Sequence, residues 1–206
     1  MVPPQLTGAA PGQLQDTEQL AFANKQLDFL PDVCYFYGWV LPASQEMKFA
    51  VDVMLGKLAK WLRIIGYDTE YGTAWTDAEL RAKATRERRM VLTRDRALAE
   101  SLGPNAGLFI ESQNPREQFR QVVETLGLDT EQRLFTICTL CNREVEPVDP
   151  REVEHELAEY VRQQQRSFWR CPACGRLYWE GSHIVNAKGW IAASLEKKSA
   201  KRTGDS

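Results

Sequence analysis

The stretch from Met47 to Gly66 constrains this chain more than any other. Phe49-Ala50-Val51 is a short apolar run with the character of a buried strand, and Asp52 stands at its end. Met54/Leu55, Leu58, Trp61/Leu62 and Ile65 then recur at the spacing of a helix with one face on a core. Gly66 stands where such a helix would close. Strand, acid and helix in that order place a carboxylate at the carboxyl edge of a sheet, where open α/β sheets bind ligands.

The pattern repeats downstream. Tyr67 to Tyr71 alternates and predicts a second strand, with Asp68 facing solvent. Thr76-Asp77-Ala78-Glu79 has the form of a capping box and predicts a helix from Asp77 to about Arg88. Met90-Val91-Leu92-Thr93 is a third strand, followed by Arg94-Asp95-Arg96 and a short helix. Gly107-Leu108-Phe109-Ile110 is a fourth, ending at Glu111. Asn114-Pro115 opens a helix that Gly127 ends. Strands alternating with helices predict a parallel, three-layer α/β sheet over residues 47–128.

Asp52, Asp95 and Glu111 each follow an apolar strand, and Asp77 opens the helix after the second. In a parallel sheet all four point toward one edge. Hard oxygen ligands without His or Cys suit Mg²⁺ or Mn²⁺, and such a site suits phosphodiester hydrolysis. Each acid also has a structural reading. Asp52 and Asp95 are placed to cap helices, Asp77 to meet a helix dipole, and Glu111 to sit in a solvated loop. Lys57, Lys60 and Arg63 recur every three residues on the first helix, and Arg94 and Arg96 flank Asp95. Arg81, Lys83, Arg86, Arg88 and Arg89 crowd the next helix. A basic face beside an acidic edge suits a polyanion, with Lys57, Lys60 and Arg94 as phosphate contacts. A phosphatase of the aspartyl type would need a second acid two residues after its nucleophile, and Met54 stands there.

Four of the five cysteines form two pairs, Cys138-Thr-Leu-Cys141 and Cys171-Pro-Ala-Cys174. Four thiolates in two knuckles suit tetrahedral Zn²⁺. The ribbon reads as a structural clasp, with an RNA-gripping role also open. Phe168, Trp169, Tyr178 and Trp179 read as its small core or as stacking surfaces, and His183 as a structural histidine. Cys34 reads as a buried thiol. No basic-then-apolar leader opens the chain, and the longest apolar run, Val33 to Ala43, is too short to span a bilayer. These features predict a soluble cytoplasmic protein with no membrane partner. A net charge of -2 excludes a globally basic nucleic-acid binder. Residues 1–46 read as an extension, disordered over its first fifteen residues and aromatic from Val33 to Leu41. Residues 186–206 read as a helix and a charged tail.

The segments Val51-Asp52-Val53-Met54-Leu55-Gly56-Lys57-Leu58-Ala59-Lys60-Trp61-Leu62-Arg63, Gly66-Tyr67-Asp68-Thr69 and Leu92-Thr93-Arg94-Asp95-Arg96 form an ordered set. With the two CxxC pairs and Tyr178-Trp179-Glu180-Gly181-Ser182-His183, they resemble the C-terminal ribonuclease domain of the Mut-seven exonucleases. The resemblance covers residues 47–185. It implies a PIN-like α/β/α fold with a zinc ribbon over 134–185, and metal-dependent RNA cleavage leaving a 3′-hydroxyl and a 5′-phosphate. It implies metal-binding acids at Asp52, Asp77 and Asp95. PIN-like enzymes use a fourth acid, for which Glu111 is the positional candidate. The rival reading is an RNA-binding protein of the same form that does not cut.

Overall fold

The computed structural model describes residues 33–36, 39–42 and 47–196. By contact the chain divides into residues 1–45 and 46–206. In the first unit, β1 (Val33–Phe36) and β2 (Trp39–Pro42) pair antiparallel as a hairpin. The expectations for the first fifteen residues, the thiol of Cys34 and the C-terminal tail lie outside the described residues and side chains.

In the second unit, β3 (Phe49–Val51), β4 (Thr69–Tyr71), β5 (Met90–Thr93) and β6 (Gly107–Phe109) form one parallel sheet in the order β4-β3-β5-β6. The chain leaves β3 to one side for β4, then crosses to the other side for β5. The strand order therefore reverses between β3 and β5. Helices to either side of such a reversal diverge and leave a crevice at the carboxyl ends of the two strands. Asp52 follows one of these strands and Asp95 lies two residues past the other.

The helices between the strands are α1 (Gly56–Ile64), α2 (Asp77–Glu87), α3 (Arg96–Leu102) and α4 (Pro115–Leu126). A 3₁₀ turn, Val53–Leu55, precedes α1, because the chain must swing off β3 before the regular helix begins. Ala50 and Val91 pack on one side of the sheet with Leu80 and Ala84 of α2 and Leu98 of α3. Phe49, Val51 and Leu92, out of phase by one residue, are also fully buried, so these strands are covered on both faces. Leu58, Leu62 and Phe119 are fully buried as well. Each such side chain contributes about 1.5–3 kcal/mol by leaving water. The local signals act as the sequence predicts. Thr76 and Glu79 form a reciprocal capping box, Asn114 caps α4 with Pro115 behind it, and Gly127 ends α4 in the left-handed region.

Beyond α4, β7 (Glu146–Val148), β8 (Phe168–Arg170) and β9 (Leu177–Trp179) form an antiparallel sheet. Between β7 and β8 lie α5 (Pro150–Val153), a 3₁₀ turn and α6 (Glu159–Gln164). Phe168 and Tyr178 are buried, in keeping with a small core. The last helix, α7 (Ser182–Leu195), returns to the parallel sheet's helices. Its Trp190 stacks on Trp61 of α1 with ring centroids 3.6 Å apart and planes 4° from parallel. The Phe119 ring meets both indoles edge-on. Among the described residues no helix is long and apolar enough to cross a membrane.

Candidate functional site

The carboxyl edge of the sheet is organised by a buried hydroxyl. Thr93 ends β5 and is fully buried. Its Oγ1 donates to Asp52 Oδ2 at 2.8 Å and accepts from the Asp95 backbone N–H at 2.9 Å. The Asp52 N–H donates to Leu92 O at 3.0 Å, so the backbone is also fixed to β5. Asp52 begins the 3₁₀ turn but makes no side-chain cap. The capping reading for Asp52 therefore fails, and its carboxylate is held by Thr93 instead. Asp95 does cap: Oδ1 accepts from Leu98 N at 2.9 Å at the start of α3. One oxygen of each carboxylate, Asp52 Oδ1 and Asp95 Oδ2, has no hydrogen bond among the described residues.

The side chains of the other two acids make no hydrogen bond to Asp52, Thr93 or Asp95 among the described residues. Asp77 is exposed in the first turn of α2, the helix that follows edge strand β4. Glu111 is exposed just beyond β6, and its backbone N–H donates to Gln121 Oε1 at 3.1 Å. Ile110, beside it, donates to Thr93 O at 2.8 Å. No group of three or more carboxylates is drawn together among the described residues as closely as the thiols described below. Lys57 and Lys60 are exposed on α1. Arg94, between Thr93 and Asp95, has a buried Nε with no hydrogen-bond partner among the described residues.

Three charged residues sit differently from the sequence expectation. Asp68 does not face solvent. It precedes β4, where Arg89 Nη1 and Nη2 bind its two oxygens at 2.8 and 3.1 Å. Burial pushes its carboxyl up, but Arg89 and Asn142 donate to it and hold it below the ordinary value. Arg89 is not part of a basic surface on α2: it is 8% exposed and spans Asp68, Glu70 and Glu87. Arg63 is likewise buried rather than in line with Lys57 and Lys60. Its Nε donates to Thr69 O at 2.8 Å, and its Nη1 to Thr139 O and Leu140 O at 3.0 and 2.9 Å. The carbonyls it holds lie inside the first knuckle, 76 and 77 residues away, a partnership no local pattern reveals.

The knuckle answers from its own side. Asn142 has φ 56°, a left-handed conformation that asparagine tolerates. Its Oδ1 accepts from Thr69 N at 2.7 Å and its Nδ2 donates to Asp68 Oδ1. Edge strand β4 is thus covered at Thr69 by side chains in place of another strand. Gly66, with φ +87°, lets this attachment close. A Cβ there would lie 2.4 Å from Arg133 O.

The Sγ atoms of Cys138, Cys141, Cys171 and Cys174 all lie within 4.8 Å of one another. Cys138 and Cys174 are 3.8 Å apart. Tetrahedral thiolates at the usual zinc–sulfur distance are separated by about 3.8 Å, so the donor set fits a zinc ion. Burial pushes the Cys138 thiol up, but the Tyr178 hydroxyl and the N–H groups of Cys141 and Leu140 hold it down at about 6. Cys141, hydrogen-bonded to Cys174 and facing the Cys138 thiolate, is pushed up to about 12. Four such sulfurs shed their protons together only against a cation. Burial lowers the Arg63 guanidinium, and Cys138 and Cys141 are the first of the groups that oppose this. His183 is outside the thiol cluster and stands edge-on to Phe135 and Trp179.

Sequence reasoning missed Thr93, Asn142 and the buried role of Arg63. Thr93 alone left a trace, as the polar residue closing an apolar strand two positions before an acid. In comparison with known proteins, the family model described as the Mut7-C RNAse domain matches residues 47–191. No curated protein matches, and no solved structure matches.

Proposed function

The chain belongs to the Mut7-C RNAse domain family, and on that premise we propose that it is a metal-dependent ribonuclease with its active edge at Asp52 and Asp95. The observation that carries this reading is the Thr93 bridge. A buried hydroxyl 41 residues from Asp52 in sequence fixes that carboxylate and the backbone of Asp95 together where the strand order reverses. In this reading the sheet and its helices have the PIN-like three-layer form.

Asp52 Oδ1 and Asp95 Oδ2 are the free hard donors, and Asp77 and Glu111 complete the acidic rim. Mg²⁺ binds through one or two carboxylates and keeps several waters, which suits a pair of acids joined through Thr93. A Mg²⁺ or Mn²⁺ ion held there supplies an acidified water and charge stabilisation at the leaving oxygen. Thr93 keeps Asp52 in one rotamer. The α3 cap fixes Asp95 and turns its other oxygen outward. Arg94 meets the phosphate beside them, and Lys57 and Lys60 attract the flanking backbone. The thiol cluster holds zinc and clasps the ribbon to the sheet through Arg63 and Asn142. In this reading the substrate is RNA, in keeping with the family's description as an RNAse domain.

The rival, RNA binding without cleavage, draws on the absence of a cluster of three or more acids among the described residues. The test is cleavage of labelled single-stranded RNA with Mn²⁺ by the wild type, Asp52→Asn and Asp95→Asn. We expect each variant to lose about 100-fold or more in rate. Equal cleavage by all three overturns the assignment. Undiminished binding with no turnover in any of them favours the rival.

A further inference from the structure

A cleft of about 350 Å³ runs along edge strand β4 between the strand and the first knuckle. Its upper end is tied to the acidic edge. Tyr71, at the last position of β4, donates its hydroxyl to Val53 O, next to Asp52, at 3.0 Å. Trp75 forms the adjoining wall, its indole laid against Gly72 so closely that a Cβ there would come within 2.3 Å of the ring. Arg143 and Arg63 line the knuckle side.

The charges of the cleft divide into a closed set and an open set. Asp68 and Glu70 are taken by Arg89, Lys48 and Lys83, and Arg89 and Lys83 also take Glu87. That set is internally neutral. Arg63 and Arg143 make no direct ion pair with a carboxylate among the described residues, although Asp68 and Glu70 act on Arg63 from further off. Arg63 is 8% exposed, and its Nη2 is the one guanidinium nitrogen with no hydrogen bond among those residues. Part of its charge faces the knuckle thiolates. Arg143 is exposed, and its side chain makes no hydrogen bond or ion pair among the described residues, which leaves its charge to an incoming group. Val53 and Met54, exposed by 44% and 65%, present apolar surface between Asp52 and Tyr71.

We propose that this cleft is a nucleotide subsite: it seats the segment of single-stranded RNA next to the cleaved bond, with Arg143 and the free Nη2 of Arg63 on a backbone phosphate and Tyr71 and Trp75 walling a base. A pocket of this volume is the size that small-molecule ligands fill. An exposed guanidinium beside two aromatic walls matches a nucleotide, which carries an anion and a flat ring. The proposal rests on RNA being the substrate, and it extends that reading from the acidic edge to the ribbon. The ribbon then has a direct part in holding the substrate as well as a structural one.

The experiment compares Arg143→Glu with Arg151→Glu, an exposed arginine of α5 on the same ribbon but outside the cleft. Binding is read by fluorescence anisotropy on the full chain carrying Asp52→Asn, with a single-stranded RNA of about ten nucleotides, long enough to cover one such groove. Arg143→Glu weakens binding by about tenfold and flattens the salt dependence by about 0.7 in log–log slope, the loss of one single-strand phosphate contact. Arg151→Glu changes neither. With Asp52 intact, Arg143→Glu raises KM for that RNA more than it lowers kcat, the mark of lost binding away from the reacting bond. Unaltered binding overturns the proposal. So does an equal loss in Arg151→Glu, or a fall in kcat with KM unchanged, which would place the effect in the fold or the acidic edge. Arg143-dependent binding without cleavage by the unsubstituted chain sinks the ribonuclease reading and leaves the subsite standing. Absence of both binding and cleavage removes both.

Discussion

Replacing Thr93 with valine tests the organisation of the acidic edge more sharply than replacing an acid. Valine keeps the branched shape at a fully buried position but removes the hydroxyl. Two hydrogen bonds go with it, the 2.8 Å donation to Asp52 and the 2.9 Å bond from the Asp95 N–H. A hydrogen bond to a charged group contributes about 1.5–3 kcal/mol, and a part-buried N–H left without a partner costs about 1 kcal/mol more. The loss in stability is therefore about 2.5–4 kcal/mol, a sizeable share of what a domain has. Thr93→Ser keeps both bonds and removes one buried methyl, at about 1 kcal/mol. Urea unfolding separates the two by midpoint at constant slope. Cleavage separates them again: if Asp52 and Asp95 hold the metal as proposed, loosening the residue that orients them costs about 10–100-fold in activity, and serine retains most of it. If valine and serine behave alike in both assays, the Thr93 hydroxyl does not position the acids.

Two further outcomes follow from the ribbon and its attachment. The native chain carries about one zinc per molecule, measured by release to a chromogenic chelator, and Cys138→Ser loses it with a fall in Tm of roughly 5 °C or more; a metal-free chain of undiminished Tm refutes the clasp. The Asp68 carboxyl is depressed when folded, so its contribution to stability is complete above its ordinary value of 3.8 and is lost as pH falls through the folded value. Asp68→Asn therefore flattens the acid limb of the urea-midpoint curve below about pH 4, and an unchanged limb refutes the pairing with Arg89.

Local chemistry was legible before any coordinates. Thr76 and Glu79 sit at the spacing at which each reaches the other's backbone, and Asn114 precedes a proline that cannot donate. The CxxC spacing brings two sulfurs round one knuckle. Such features need only a few neighbouring residues, so the sequence shows them whole. The alternation of apolar runs and helical stripes likewise implied a parallel sheet, because parallel strands need a crossover between them. The charged residues were less legible. Arg63 falls in register with Lys57 and Lys60, and a three-residue spacing cannot tell an exposed lysine from an arginine turned onto a distant carbonyl.

What the sequence alone determined is therefore the elements of residues 47–128, their order and the thiol donor set. Each depends on contacts within a turn or two, whose geometry the backbone fixes by itself. Only the tertiary structure decided that Asp52 is held by Thr93 and not spent on a helix end, that Arg63 and Asn142 join the knuckle to β4, and that a cleft lies between them. Those ties link residues 41 to 77 positions apart. They form only once the sheet order and the docking of the ribbon have set which distant groups lose water together, and an unpaired polar group in those places is too costly to leave.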